Sequence, residues 1–459
     1  MAETSKRETY VLFAVVVLAC ALGSLTQTVM NSMLGGVEAD FGVTAAVGQW
    51  LTTIYMLMMG ITVPAVTYMS QRFSTRGLVV ISLVLFIVGG LMAFVAPTFL
   101  VLVLARVLQA IAAGITLPLL QAIAMTRFPK SQVGTAMGIA GIAMGFAPNI
   151  GPLIGGALVD TLGWRSFYVM LVVFSAVLLV VTYAGVGRGE APAGGSAVLE
   201  LVSLLLSTLG FGGVLLGFSN AANMSFSSPL VWVPCIIGIV CLVLFLQRQR
   251  RIEHPLISLR IFDYACYRAS FVAQNLLYAC FMGITLIVPL CVQGLMGMTA
   301  LEAGIVFVPS TILAIFINPA AGVLMDKVGA RPVCVGGCVL LVVGAVAMVF
   351  VSADTPLWLL TVMQMVRGMG VSFTIGPLCT WGLKGLPYDI TMDGSAFFTA
   401  VRQACASIGT ALMVLVIEVC GSWAAAGIVG TALAYRLAFG LSALFAIGMF
   451  VTVLWKVRD

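Results

Sequence analysis

Apolar stretches of about 20 residues, broken by short basic turns, recur along this chain from Tyr10 to Trp455. A stretch apolar all round at that length suits a helix crossing hydrocarbon. Period-two alternation over about ten residues is absent, which excludes a transmembrane barrel. Composition agrees: 61% of residues are hydrophobic and 8% charged, whereas soluble domains carry about 25% charged residues. With 22 basic and 16 acidic side chains, a chain of 459 residues cannot cover a water-exposed surface. A soluble enzyme, a nucleic-acid binder and a disordered chain are excluded as whole-chain readings, and the bilayer is the expected solvent.

Fourteen spans are expected, giving an all-α polytopic membrane protein. They lie near Tyr10–Met33, Gln49–Met69, Leu78–Ala96, Phe99–Met125, Val133–Val159, Phe167–Val186, Leu199–Phe218 and Leu230–Leu246. The last six are Ser270–Gln293, Ala303–Met325, Val333–Val351, Leu357–Leu383, Ser395–Cys420 and Leu437–Trp455. The first apolar run is too long for a cleavable signal peptide. With the N-terminus inside, 17 of the 22 basic residues fall in cytoplasmic segments, and only Arg165 and Arg436 fall at outer ends. That asymmetry predicts a multi-pass protein of a bacterial-type inner membrane with both termini cytoplasmic. The remaining three, Arg106, Arg367 and Arg402, lie inside spans.

The chain repeats itself. Gln71 matches Asp326, Arg106 matches Arg367 and Gly134-Thr-Ala matches Gly394-Ser-Ala, at offsets of 255, 261 and 260 residues. The implied organisation is a six-span half over 1–190, two inserted spans with a basic loop over 191–265, and a second six-span half over 266–459. Parallel six-span repeats are a transporter architecture.

The turn between spans ten and eleven reads Gly322-Val-Leu-Met-Asp-Lys-Val-Gly-Ala-Arg331. It resembles the loop signature of the major facilitator superfamily, G-x-L-x-D-x-x-G-x-R. Gly322 permits close helix approach and Gly329 a tight turn. Asp326 suits a nearby helix N-terminus and a pairing with Arg331. In the first-half turn only Arg72, Phe73 and Arg76 match, and Gln71 stands at the acidic position.

Span four reads Leu104-Ala-Arg-Val-Leu-Gln-Ala-Ile-Ala-Ala-Gly114, with Gln109 one turn from Arg106. It resembles the superfamily's span-four motif, whose Arg is associated with proton coupling. Arg keeps its proton and is costly in the bilayer, so it must face the interior with partners. The polar face of span one, Gln27 and Asn31, is the expected partner. Span five contains Gly145-Phe-Ala-Pro-Asn-Ile-Gly-Pro-Leu-Ile-Gly-Gly156. It resembles the superfamily's exporter signature: Gly151, Gly155 and Gly156 are expected to permit close helix contact, while Pro148 and Pro152 kink the span.

With fourteen spans, Arg402-Gln403 and Gly409-Thr-Ala411, the chain is similar to EmrB/QacA-type drug:proton antiporters over essentially its whole length. Their span one usually reads L-D-x-T-I-V-N; here it is Leu25-Thr-Gln-Thr-Val-Met-Asn31, with Thr26 at the acidic position. The interior thus looks neutral to basic, favouring anionic, neutral or zwitterionic substrates. Glu418, within an apolar run near the outer end of span thirteen, is the expected coupling acid.

The resemblance implies a proton-coupled exporter of small amphipathic organic molecules that works by alternating access. Its expected partners are that substrate, protons and membrane lipid. The alternatives are an uncoupled transporter, or one for an endogenous metabolite, peptide or lipid, and more remotely a membrane-embedded enzyme or receptor. No use of ATP is expected, because no GxxxxGK[ST] loop exists, and no cofactor is expected. No metal is expected either, with one histidine, His254, and eleven dispersed cysteines.

Overall fold

The computed structural model describes residues 3–187, 200–221, 228–252, 255–423 and 428–457. Among them every regular element is a helix. Lipid offers the backbone no hydrogen-bond partners, so each span must satisfy its own N–H and C=O groups. Eleven helices are long and apolar enough to cross a membrane, and the pair Trp50–Val63 and Ala65–Arg72, bent by 50°, makes twelve. Two shorter apolar helices, Val133–Gly145 and Val202–Phe218, stand where the fifth and seventh spans are expected. All fourteen expected positions are therefore helical.

Span five departs from a simple proline kink. It runs as Val133–Gly141, then a π turn over Ile142–Phe146, then Ala147–Leu162. Pro148 has no N–H to give the carbonyl four residues back, and the wider turn just ahead of it absorbs the missing bond.

Packing follows the repeat. Within the first six spans the packed pairs include 1–5, 1–4, 1–6, 3–4, 3–6 and 2–4; within the last six they include the matching 9–13, 9–12, 9–14, 11–12, 11–14 and 10–12. Between the two groups, span five packs on span ten and span two on span thirteen. These two seams exchange under the same repeat, and both lie at the end of the bundle that carries the basic turns.

Spans seven and eight pack on each other, and span seven leans on spans two and thirteen. Glycine makes their crossing possible: a Cβ on Gly213 would stand 2.6 Å from Pro234 O. An ion pair, Arg248 to Glu200, ties their ends, and its hydrogen bonds hold the Glu200 carboxyl below its usual range. Span eight turns Trp232, Ile236, Val240 and Val243 outward, as lipid contact requires.

Candidate functional site

The two matched arginines are buried and donate to backbone carbonyls, although Arg106 Nη2 and Arg367 Nε find no acceptor among the described residues. Arg106 donates from Nη1 to Thr26 O at 2.8 Å and to Gln109 Oε1 at 3.2 Å, and from Nε to Leu51 O at 3.2 Å. Its guanidinium lies 4.3 Å from the centre of the Tyr55 ring. Gln109 in turn donates to Gly89 O. The acceptors are two backbone carbonyls and Gln109, and the expected partner Gln27 is not among them. A guanidinium needs acceptors in several directions, and fixed backbone oxygens supply them with less rotamer entropy than side chains. Asn31's side chain lies outside the described residues. Thr26 uses its hydroxyl within its own helix, donating to Leu22 O at 2.7 Å. Arg367 repeats the arrangement, donating to Cys280 O on span nine at 2.8 Å.

A narrow cavity opens between the two six-span groups. Spans one, two, four, five, nine and thirteen line it, with Gln27, Met144, Tyr278, Met282, Arg402 and Gln403 among the contacts. Arg402 is 4% exposed, and its guanidinium lies 4.4 Å from the Tyr278 ring centre. Nη1 reaches only the soft sulfur of Met144 at 3.8 Å. A second cavity, beyond Gly145 and Phe281, is lined by Ser310, Asn318, Gln364 and Ser372. Asn318 donates to Gly141 O at 3.3 Å, which fixes its amide, and leaves Oδ1 without a donor among the described residues. No acidic side chain lines either cavity among the described residues.

The seams at the basic end join the groups. Asp326 accepts from Gly134 N–H at 2.9 Å, from Thr135 N–H at 2.7 Å and from Thr135 Oγ1 at 2.9 Å. It caps span five across the interface, as expected of a carboxylate at a helix N-terminus. A cation beside it is Lys384, at 3.6 Å. Close approach rests on glycine: a Cβ on Gly138 would meet Asn318 O at 2.6 Å and Gly322 Cα at 3.1 Å, and one on Gly322 would overlap Gly134 O. Gly329 adopts φ +90°, which lets span eleven start directly after span ten.

At the other seam the acid is not at Gln71, which is exposed. Asp393, 8% exposed on the first turn of span thirteen, accepts from Ser258 N–H at 3.0 Å. Two residues on, Ser395 Oγ reaches Gln121 Oε1 at 2.7 Å across to span four. Arg72 and Arg76 stay within the first six spans, on Tyr68 Oη and the Tyr183 ring. Gly151 and Gly155 pack on span one, where a Cβ would strike Thr28 Oγ1 and come within 2.7 Å of Val29 Cγ2. The surroundings of Pro152, Gly156 and Glu418 lie outside the described residues. Asp393, Tyr278 and Gly138 were missed as site residues in the sequence, although the four-residue spacing of Gly134 and Gly138 was visible.

Two repeated six-span groups, a cavity between them and interlocking seams at one end define a membrane transporter of the alternating-access class. The profile of the Major Facilitator Superfamily matches residues 16–412. The chain belongs to that superfamily, among relatives of the 14-helix drug:proton antiporter group. It is 34% identical over 402 residues to the lincomycin resistance protein LmrB of Bacillus subtilis, covering 86% of this chain and 83% of that one. It is 30% identical over 403 residues to a multidrug resistance protein B homolog of Mycobacterium tuberculosis, covering 87% and 74%. The fold matches the proton:xylose symporter XylE at a TM-score of 0.65 and 14% identity, over 97% of this chain and 96% of that one. The chain is a transporter, not an enzyme.

Proposed function

We infer that this protein is a secondary active exporter of small amphipathic organic molecules, of the multidrug-efflux type, in the plasma membrane. The observation that carries this reading is the narrow, methionine-lined cavity between two six-span groups, in a chain whose relatives over most of its length are drug-resistance transporters. Flexible, polarisable methionine side chains adapt to ligands of different shape. Residues 1–190 and 266–459 act as the two rocking bodies, with 191–265 inserted between them. The basic end faces the cytoplasm, so the structure represents the state closed on that side. Expression in a host stripped of its own efflux pumps tests the reading: resistance to a panel including lincomycin should rise, and drug retention should fall.

Transport runs against a proton gradient in this proposal, with Glu418 as the coupling acid. Thr26 in place of an acid, and a cavity wall with no acid among the described residues, favour one second reading, an uncoupled transporter. Inverted vesicles separate the two. A pH gradient alone should drive uptake in the wild type and fail to do so in Glu418→Gln, with substrate binding intact. Uptake indifferent to the gradient supports the uncoupled reading.

A further inference from the structure

Three arginines lie within the spans, and they are treated differently. Each of the three leaves one N–H without an acceptor among the described residues, but Arg106 and Arg367 also donate to backbone carbonyl oxygens that offset part of the cost of burial. Arg402 does not. Its Nη1 is left with a thioether sulfur, a weak acceptor, and its Nε–H has no acceptor among the described residues. The Tyr278 hydroxyl beside it is also buried without a partner. Both groups belong to the wall of the central cavity, and no described carboxylate shares that wall.

A buried charge without acceptors is costly, far more so than a neutral group. The ring face of Tyr278 offsets part of that cost but occupies only one side of the guanidinium. Its N–H edge remains to be satisfied. A guanidinium is weakly hydrated and presents parallel N–H groups that match a carboxylate fork. Tyr278 Oη adds a hydroxyl donor nearby. The unsatisfied groups of this cavity are thus donors around a positive charge.

We propose that Arg402 and Tyr278 form the binding site for an anionic group, a carboxylate or an acidic phenol or enol, on the transported molecule. The inference rests on the export reading and names its substrate class: acidic amphiphiles in preference to lipophilic cations. The apolar remainder lies along Met59, Leu117, Met144 and Met282. Loading the site supplies the acceptor that Arg402 lacks, so the anion is bound most tightly when its carboxylate is fully withdrawn from water.

The test uses the full chain in lipid nanodiscs and three probes on one skeleton: naphthalene-1-acetate, naphthalene-1-acetamide and 2-(1-naphthyl)ethylammonium. The wild type should bind the acetate about tenfold more tightly than the amide or the ammonium. Arg402→Gln should bring the three to near parity, Arg402→Lys should retain part of the preference, and Tyr278→Phe should weaken acetate binding alone. Equal binding of the three probes by the wild type, a preference for the ammonium, or no saturable binding of any overturns the proposal without recourse to a variant. So does an acetate preference that survives in Arg402→Gln. Because binding is read without flux, absence of drug export alongside an Arg402-dependent acetate preference removes the export reading and leaves the anion site standing.

Discussion

Asp326 is the single side chain that most directly couples the two six-span groups. It accepts three hydrogen bonds from the start of span five, two from backbone N–H groups and one from a hydroxyl. Asp326→Asn keeps one carbonyl oxygen but turns an NH2 toward the second set of donors. The loss is at least one charge-assisted hydrogen bond, about 1.5–3 kcal/mol, together with about 0.3–1 kcal/mol of charge–dipole attraction at the helix N-terminus. The Lys384 pair is partly exposed and adds little. The sum, about 2–4 kcal/mol, falls only on the state in which this seam is closed. The closed-to-open ratio should therefore drop by about thirtyfold to a thousandfold. Hydrogen exchange at the span-five N-terminus reads this directly, because Gly134 and Thr135 donate their amide hydrogens to Asp326 when the seam is shut. Deuterium uptake in a peptide covering these residues should rise sharply in Asp326→Asn, and flux should fall at matched membrane levels. Gln71→Ala, at the exposed matching position, should change neither. Unchanged exchange in Asp326→Asn, or equal flux losses in both variants, refutes the latch.

Arg106→Lys keeps the charge but reaches one acceptor instead of three, losing about 3 kcal/mol or more; flux should collapse while membrane insertion, measured by surface labelling, stays normal. Gly138→Ala places a methyl 2.6 Å from Asn318 O and 3.1 Å from Gly322 Cα, backbone atoms that cannot swing aside. It should open the span five–ten seam and abolish transport. Gly336→Ala meets nothing within 4 Å and should be tolerated or slightly stabilising in a thermal melt. Asp40 accepts from Trp164 and Arg165, and these bonds lower its carboxyl below the ordinary 3.8. A lowered folded value makes its contribution fully present above 3.8 and lost as pH falls through that lower value. Melting temperature measured against pH should show an acid limb that Asp40→Asn reduces.

What local sequence could determine here was whatever depends on solvent and period. Runs of about 20 apolar residues leave a bilayer chain no alternative to helix. The offsets between Gln71 and Asp326, and between Arg106 and Arg367, carried the six-span repeat because duplicated halves keep their turns. The cost of an intramembrane guanidinium said that Arg106 must be partnered. It did not say by what. Its acceptors are carbonyls of Thr26 and Leu51, 80 and 55 residues away, and every residue owns a carbonyl, so no composition marks the ones used. Likewise Asp326 could be read as a helix-capping acid, but the amide it caps lies 192 residues earlier, at Gly134. Nothing local singles out Asp393; its burial and its bond from Ser258, 135 residues away, come from tertiary packing. The most consequential difference, that Arg402 alone of the three intramembrane arginines has no oxygen acceptor among the described residues, exists only in three dimensions. It is set by which side chains of six separate spans converge on one cavity, and periodicity along any single span carries no trace of that.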